Sequence, residues 1–432
     1  MSLSVIILAA GQGTRMKSDL PKVLHPISGL PMLHYAIRAA QALSDDITVV
    51  LYHQADRIKD AITASFEGIA FKIQDHSNYP GTGGAVMDIE TDHDRILVLN
   101  GDMPLVTAEA LEPLVNSDAD IVMSVFDLEN PSGYGRVVVE NGEVQAIVEE
   151  KDCTEEQKRI KTVNAGVYVF RKEIMERYLP LLSNENAQAE YYLTDIVKMA
   201  RDEGRHIIPV WVEEEAFKGV NSRFDLAHAE EIMQNRIKER WMRAGVTMHL
   251  PRTIYIDSRA TFHGDCTLDN GVTIHGETII TSSHIRSHTV VEEADIRHSS
   301  CGPMARIRPG SILEDTHIGN FVEVKKSHLK GVKAGHLSYL GDAEIGEGTN
   351  IGAGTITCNY DGVKKYKTKI GKNVFVGSDT QLVAPVTIED NVMIAAGTTV
   401  TDDVGEGSLA ISRTPQKIVA NFFHRFFKTG KR

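Results

Sequence analysis

The chain has 432 residues, 42% of them hydrophobic and 24% charged, with a formal net charge of −13. That length is too great for one ordinary core and predicts two or three domains of a soluble globular protein. The acidic balance argues against nucleic acid and anionic membranes as partners, and no apolar run nears the ~20 residues that span a bilayer. Cys153, Cys266, Cys301 and Cys358 lack metal-ligand spacing, so they read as reduced thiols of a cytoplasmic protein.

The start, Met1-Ser2-Leu3-Ser4-Val5-Ile6-Ile7, has neither a basic segment nor a cleavage site and reads as a buried first strand. Strands are expected at Val5–Ala9, Ile47–Tyr52, Ile96–Leu99, Ile121–Val125 and Val167–Phe170. They alternate with helical stretches, the pattern of a Rossmann-like α/β domain with a mostly parallel sheet over residues 1–224. A helix follows, capped by Asn221 or Ser222, with Leu226, Ala229, Met233, Ile237 and Trp241 at three- to four-residue spacing. It forms a linker over 225–250 that Pro251 closes.

The third region, 251–432, carries aliphatics at every sixth position: Ile370, Val376, Leu382, Ile388, Ile394 and Val400. An earlier run is Ile256, Phe262, Leu268, Ile274 and Ile280, continued by Ile312, Ile318 and Val324, then Ile345 and Ile351. Neither a helix nor plain strand alternation explains that period, whereas a parallel β-helix of hexapeptide repeats does. Gly319, Gly346, Gly352, Gly371 and Gly377 follow rungs where tight corners are needed. The count fails between Val324 and Ile345 and between Ile351 and Ile370, where loops are expected to leave the coil. The aromatic and basic tail, Asn421–Phe427, is expected to pack as a cap on the coil.

Three features carry chemistry. Leu8-Ala9-Ala10-Gly11-Gln12-Gly13-Thr14-Arg15-Met16 follows the first strand, and its small residues let backbone amides approach a phosphate. Its spacing fits neither a P-loop nor the dinucleotide fingerprint, but Arg15 and Lys22 supply cations beside it. Asn100-Gly101-Asp102 follows a buried strand, at the carboxyl end where α/β sheets bind ligands, and places Asp102 to hold a metal. Arg306, Arg308 and the segment Lys325–Tyr339 form a cationic cluster suited to a sugar phosphate.

Gly11-x-Gly13-Thr14-Arg15-Met16, Pro21-Lys22 and Gly101-Asp102 resemble the signature of sugar-nucleotide pyrophosphorylases. Gly81-Thr82-Gly83, Gly133-Tyr134-Gly135-Arg136, Val148-Glu149, Asn164-Ala165-Gly166 and Gly219-Val220-Asn221 narrow this to the N-acetylglucosamine-1-phosphate uridyltransferase type. The resemblance implies a UTP and UDP-sugar site formed by Leu8, Ala9, Ala10, Gly11, Lys22, Asn100, Gly101 and Asp102. It implies that Gln74, Gly81 and Thr82 meet the uracil and that Gly135, Glu149 and Asn164 line the sugar pocket. Asp102 and Asn221 would hold Mg²⁺, and Arg15 and Lys22 would neutralise phosphate charge. Gly84 stands where this pattern usually has histidine.

Gly335–Gly346 and Asn350–Gly362 resemble the acetyltransferase half of the bifunctional GlmU family, so the likeness covers nearly the whole chain. It implies a left-handed parallel β-helix, with His336 as the base that takes the amine proton. Arg308, Lys325, Tyr339 and Asn350 would bind glucosamine 1-phosphate. Ala353, Asn359, Tyr360, Ser378, Ala396 and Arg413 would bind acetyl-CoA. Further implications are a homotrimer and a product, UDP-N-acetylglucosamine, that feeds peptidoglycan and lipopolysaccharide synthesis. The competing reading is a single-function nucleotidyltransferase whose β-helix only assembles subunits or binds regulators.

Overall fold

The computed structural model describes residues 2–186 and 188–428. Its contacts divide the chain into two compact units, Met1–Asn235 and Arg236–Arg432.

In the first unit, β1 (Leu3–Leu8) is followed by a tiny hairpin, β2 (Pro26–Ile27) with β3 (Leu30–Pro31), and helix α1 (Met32–Gln41). Then come β4 (Asp46–Leu51), α2 (Ala55–Thr63), β5 (Ile69–Ile73), α3 (Gly81–Val86) and β6 (Arg95–Asn100). Helix α4 (Ala108–Val115) leads to β7 (Ile121–Asp127), the hairpin β8 (Arg136–Glu140) and β9 (Glu143–Val148), and β10 (Thr162–Arg171). Helices α5 (Lys172–Tyr178) and α6 (Asp195–Asp202), strand β11 (Ile207–Trp211) and helix α7 (Glu214–Phe217) complete it.

The sheet runs β11-β7-β10-β6-β1-β4-β5, with β8 and β9 attached beyond β10. β1 pairs in parallel with β4 on one side and β6 on the other. The strand order reverses at β1, so a crevice opens beyond its carboxyl end. Val5, Ile7, Val49, Leu51, Leu97 and Leu99 are buried in one core layer and Ile6, Val50, Ile96 and Val98 in the other. A strand covered on both faces must be apolar throughout, which is why these strands read as continuous hydrophobic runs. The edge strand β5 and the hairpin β8–β9 are only partly buried, although Ile69–Phe71 and Val137–Val139 are short apolar runs.

Helix α8 (Arg223–Arg243) starts at Ser222, whose Oγ accepts from the Asp225 amide at 3.2 Å while Asp225 Oδ2 accepts from the Ser222 amide at 2.8 Å. Its first half belongs to the first unit. Glu230 accepts from the Ser28 amide and hydroxyl at 2.8 and 2.9 Å, and Gln234 donates to Ser28 Oγ at 2.9 Å.

The second unit is a parallel β-helix of three sheets with ten, nine and eight strands, as hexapeptide repeats of the left-handed type form. Ile256 pairs with Ile274, Ile274 with Val291, Val291 with Ile307 and Ile307 with Val324, each one coil on. The first of these steps is a full eighteen-residue coil, and the next three are shorter by one or two residues. That shortening breaks the six-residue count, and two expectations are corrected by it. The buried rung after Ile296 is Leu313, at 0% exposure, while Ile312 is 37% exposed and faces outward. Nor does a loop leave the coil between Val324 and Ile345. Strands His328–Lys330, Lys333–His336 and Tyr339–Gly341 continue it, with Leu329, Ala334 and Leu340 buried as its rungs. The second break is a true excursion: Ile345 pairs with Ile370 across an inserted loop whose tip is bridged between Tyr360 and Lys365.

Buried hydroxyls secure the corners. Thr355 Oγ1 donates to the Gly352 carbonyl at 2.7 Å and Ser311 Oγ to the Arg308 carbonyl at 2.7 Å. The tail does not cap the coil: residues 411–427, including Phe422, Phe423, Phe426 and Phe427, are exposed. All four cysteines are free thiols.

Candidate active sites

In the first unit a cleft of about 500 Å³ lies at the carboxyl ends of β1, β5 and β6. Leu8, Ala9, Ala10, Gly11, Lys22, Gln74, Gly81, Thr82, Asn100 and Asp102 line it, so residues spread over nearly a hundred positions meet in one cavity. Gln12, His76 and Glu190 also line it and were missed: Gln12 is the unspecified position of the glycine motif, and no motif marks His76 or Glu190. The loop after β1 leads into short 3₁₀ turns at Thr14–Met16 and Lys22–Leu24, not a helix, so its amides act without a helix dipole. Gly13 adopts φ +62°, and a methyl group there would fall 2.6 Å from Lys22 Cβ. Glycine at that point lets the lysine lie along the loop.

Lys22 Nζ sits 2.5 Å from Asp102 Oδ2 and 3.1 Å from Asn221 Oδ1, and Arg15 Nη2 donates to the same Asn221 oxygen at 2.8 Å. Both acid and lysine are largely buried, with side chains 17% and 13% exposed. The two oxygens expected to hold a metal therefore already converge on one cation. An all-oxygen pair of one carboxylate and one amide suits Mg²⁺, which takes one or two carboxylates and fills its remaining positions with water and substrate phosphate. Among the described residues there is no group of three His, Cys, Asp or Glu placed to hold a metal.

The expected sugar-pocket residues cluster on the antiparallel side of the sheet. The Asn164 amide donates to the Gly135 carbonyl at 3.0 Å, and a methyl group on Gly135 would meet Glu149 Oε1 at 3.4 Å. Asn164 Oδ1 accepts from the Gly166 amide at 2.9 Å, and the Gly166 carbonyl accepts from Asn100 Nδ2 at 3.1 Å, which ties this cluster to the cleft. Burial, reinforced by Asp152 and Asp195, raises the Glu149 carboxyl above the usual carboxylate range. Arg136, 1% exposed and paired with Glu150 at 2.7 Å, braces the loop from below.

In the coil, register sorts the expected residues. Ala334 pairs with Ile351, Ile351 with Val376 and Val376 with Ile394, and this register stacks His336, Ala353, Ser378 and Ala396 in one column along a corner. Gly352 and Gly377 pack beneath that column, where a methyl group would come within 2.6 Å of the Ser378 amide and 2.4 Å of the Ala396 amide respectively. Arg413 is exposed just past the last coil.

The cationic segment expected to form one cluster is instead wound around the coil. Lys333 lies on the first sheet, Lys325 on the second and Lys330 on the third. Arg306 is paired with Glu292 and Lys330 with Glu314. What remains together is Lys325 with Arg308 and Lys365, a residue sequence reasoning missed. The Lys365 ammonium, then burial, then Arg308 lower the Lys325 pKa. Arg308 donates to Glu323 Oε1 at 2.7 Å, and Asn359 donates to Asp342 beside the same edge.

Tyr339 lies on the second sheet, between Glu323 and Ile356, and Asn350 on the first, between Lys333 and Phe375. His336 precedes the second-sheet strand Tyr339–Gly341 and Lys325 pairs with Gly341 at its far end. The histidine and the cations therefore lie toward opposite ends of that strand in one chain. Tyr360 is exposed on the inserted loop.

A three-layer α/β unit with this cleft, followed by a hexapeptide coil, defines a nucleotidyltransferase joined to an acyltransferase. Residues 5–177 match the MobA-like NTP transferase domain family, and residues 367–402 match the bacterial transferase hexapeptide family (six repeats). The chain is 65% identical to the bifunctional protein GlmU of a Sulfurovum species, with 99% of each chain covered. It is 62% identical to that of a Nitratiruptor species, with 99% of each chain covered, and 59% identical to that of Wolinella succinogenes, with both chains covered entirely. The chain belongs to the bifunctional GlmU family.

Proposed function

We propose that the chain makes UDP-N-acetylglucosamine in two steps: acetylation of glucosamine 1-phosphate by acetyl-CoA, then uridylyl transfer from UTP with release of pyrophosphate. The observation that carries this reading is the full-length likeness to bifunctional relatives, with a cleft lined by the glycine loop and Lys22 in one unit and a corner column of His336 with small residues in the other.

In the first unit the attacking group is a sugar phosphate oxygen, already largely ionised at neutral pH because its second pKa is about 6. No general base is required. The barrier is the approach of two anions, and Arg15 and Lys22 lower it by neutralising phosphate charge while the loop after β1 aligns the chain of phosphates. Asp102 and Asn221 would hold Mg²⁺, which supplies charge neutralisation across the same phosphates. Gln74, Gly81 and Thr82 take the uracil, and Gly135, Glu149 and Asn164 take the sugar.

In the coil His336 accepts the proton of the attacking amine, and the corner column Ala353–Ser378–Ala396 with Asn359, Tyr360 and Arg413 seats acetyl-CoA. Lys325, Arg308, Tyr339 and Asn350 hold the sugar phosphate, with Lys365 as an added cation. The spread of these groups over two sheets of one chain favours a homotrimer, in which a neighbour's coil completes each site. No helix among the described residues is long and apolar enough to cross a membrane, and we place the enzyme in the cytoplasm.

Assaying both half-reactions on one purified sample, with sedimentation equilibrium, tests the proposal. Two activities from a trimer are expected. A sample with uridylyl transfer alone would favour the single-function reading, and a fully acetylating monomer would end the shared-site idea.

A further inference from the structure

The Lys22 ammonium holds both oxygens of the metal pair, 2.5 Å from Asp102 Oδ2 and 3.1 Å from Asn221 Oδ1, and Arg15 donates to the same Asn221 oxygen at 2.8 Å. An amide oxygen has two lone pairs, so these two cations use both. Neither oxygen is free to turn away. Asn221 Nδ2 donates to the Gly219 carbonyl at 3.3 Å, which keeps Oδ1 toward the cations. The Asp102 carbonyl accepts from the Val220 amide at 2.9 Å, and its carboxylate packs on Gly219, where a methyl group would fall 3.2 Å from Oδ1. Metal–oxygen bonds of about 2.1 Å draw on the same lone pairs. A divalent ion and the ammonium therefore exclude each other. Like charge adds to the exclusion, because the side chains of Lys22 and Asp102 are only 13% and 17% exposed and water screens them poorly.

Lys22 has another place to go. Its stem lies along Gly13, where a methyl group would fall 2.6 Å from Lys22 Cβ, so the base of the side chain is held while the bonds beyond it can swing. Ala10, Gly11 and Gln12 of the same loop line the cleft with Lys22 and Asp102. The phosphates of a nucleotide seated on that loop carry several negative charges against the single one of Asp102. We propose that Lys22 is a tethered counter-cation: it covers Asp102 and Asn221 until nucleotide phosphates draw it away, so that divalent metal enters with the nucleotide and not ahead of it. This rests on the reading that Asp102 and Asn221 hold the metal.

The test titrates Mn²⁺ alone, without nucleotide, into the intact chain and its Lys22→Met, Asp102→Asn and doubly substituted variants, with bound metal read by electron paramagnetic resonance. Methionine keeps a stem along Gly13 and loses the charge. Lys22→Met is expected to lower the Kd for Mn²⁺ by about tenfold or more, because no charge-assisted hydrogen bond then has to break, and adding Asp102→Asn should cancel the gain. An unchanged or higher Kd in Lys22→Met overturns the counter-cation, and the metal pair still stands if Asp102→Asn raises the wild-type Kd. A gain that survives in the doubly substituted chain places the metal elsewhere, which removes the metal pair and the proposal with it. Wild-type crystals soaked in Mn²⁺ give a measurement that does not depend on a variant folding. Anomalous scattering from metal on Asp102 and Asn221 is expected only with the Lys22 ammonium displaced, and metal there with that ammonium still bonded to both residues overturns the proposal.

Discussion

Replacing Asp102 by asparagine separates the two activities. Asparagine keeps an oxygen for Lys22 but removes the charge that now faces its ammonium at 2.5 Å. The amide oxygen still accepts a hydrogen bond from the Lys22 ammonium, so only the attraction between the two charges is lost and the first unit should remain folded. The effect on catalysis is larger. A unit charge 4 Å from another, at an effective dielectric near 20, is worth about 4 kcal/mol. The missing carboxylate would have held positive charge against the reacting phosphates, so uridylyl transfer should fall by about 10³. Pyrophosphate release from UTP and N-acetylglucosamine 1-phosphate measures one step, and thiol release from acetyl-CoA measures the other on the same preparation. Acetyl transfer is expected to stay near wild type, because Asp102 belongs to the other unit. Equal loss of both activities in a folded variant, or full uridylyl transfer without the carboxylate, would refute the reasoning.

His336→Ala should cut acetyl transfer by about 10² or more and spare uridylyl transfer, and retained acetylation at neutral pH would remove His336 from the mechanism. Burial raises the Glu149 carboxyl, helped by Asp152 and Asp195. An acid whose folded pKa exceeds its unfolded value of about 4.3 stabilises the fold below that value and loses its contribution as pH rises through the folded pKa. Wild type should therefore lose stability relative to Glu149→Gln as pH rises from about 4.3 through that raised value; parallel melting curves from pH 4 to 8 would contradict this. Leu313→Ala should destabilise the coil by about 2–5 kcal/mol and Ile312→Ala by under about 1, read by thermal unfolding, and the reverse order would restore the simple six-residue count.

The coil, the α/β unit and the chemistry of the two sites were legible in the chain because each depends on local pattern. Val5–Ile7 and Leu97–Leu99 are apolar at every position since both faces of their strands are covered. Ile370 to Val400 hold their period since every coil there has full length. The edge strand β5 and the hairpin β8–β9 escaped notice, because they are partly buried and their apolar runs, Ile69–Phe71 and Val137–Val139, are short and flanked by charged residues. Deleting one residue from a corner leaves the strands stacked but shifts the count, so Leu313 replaced Ile312, and the expected loop proved to be continuous coil. Distance between side chains is decided only in three dimensions. Lys325 and Lys333 are close in sequence yet lie on different sheets, because each short strand turns the chain onto a new face. Lys22, Asp102 and Asn221 are far apart in sequence yet share hydrogen bonds, because β1 and β6 deliver their carboxyl ends to one edge of the sheet and the Val220 amide ties the segment before α8 to the Asp102 carbonyl. Residue types and their spacing determined which chemistry the chain carries; the register of the coil and the order of the sheet decided which of those residues meet.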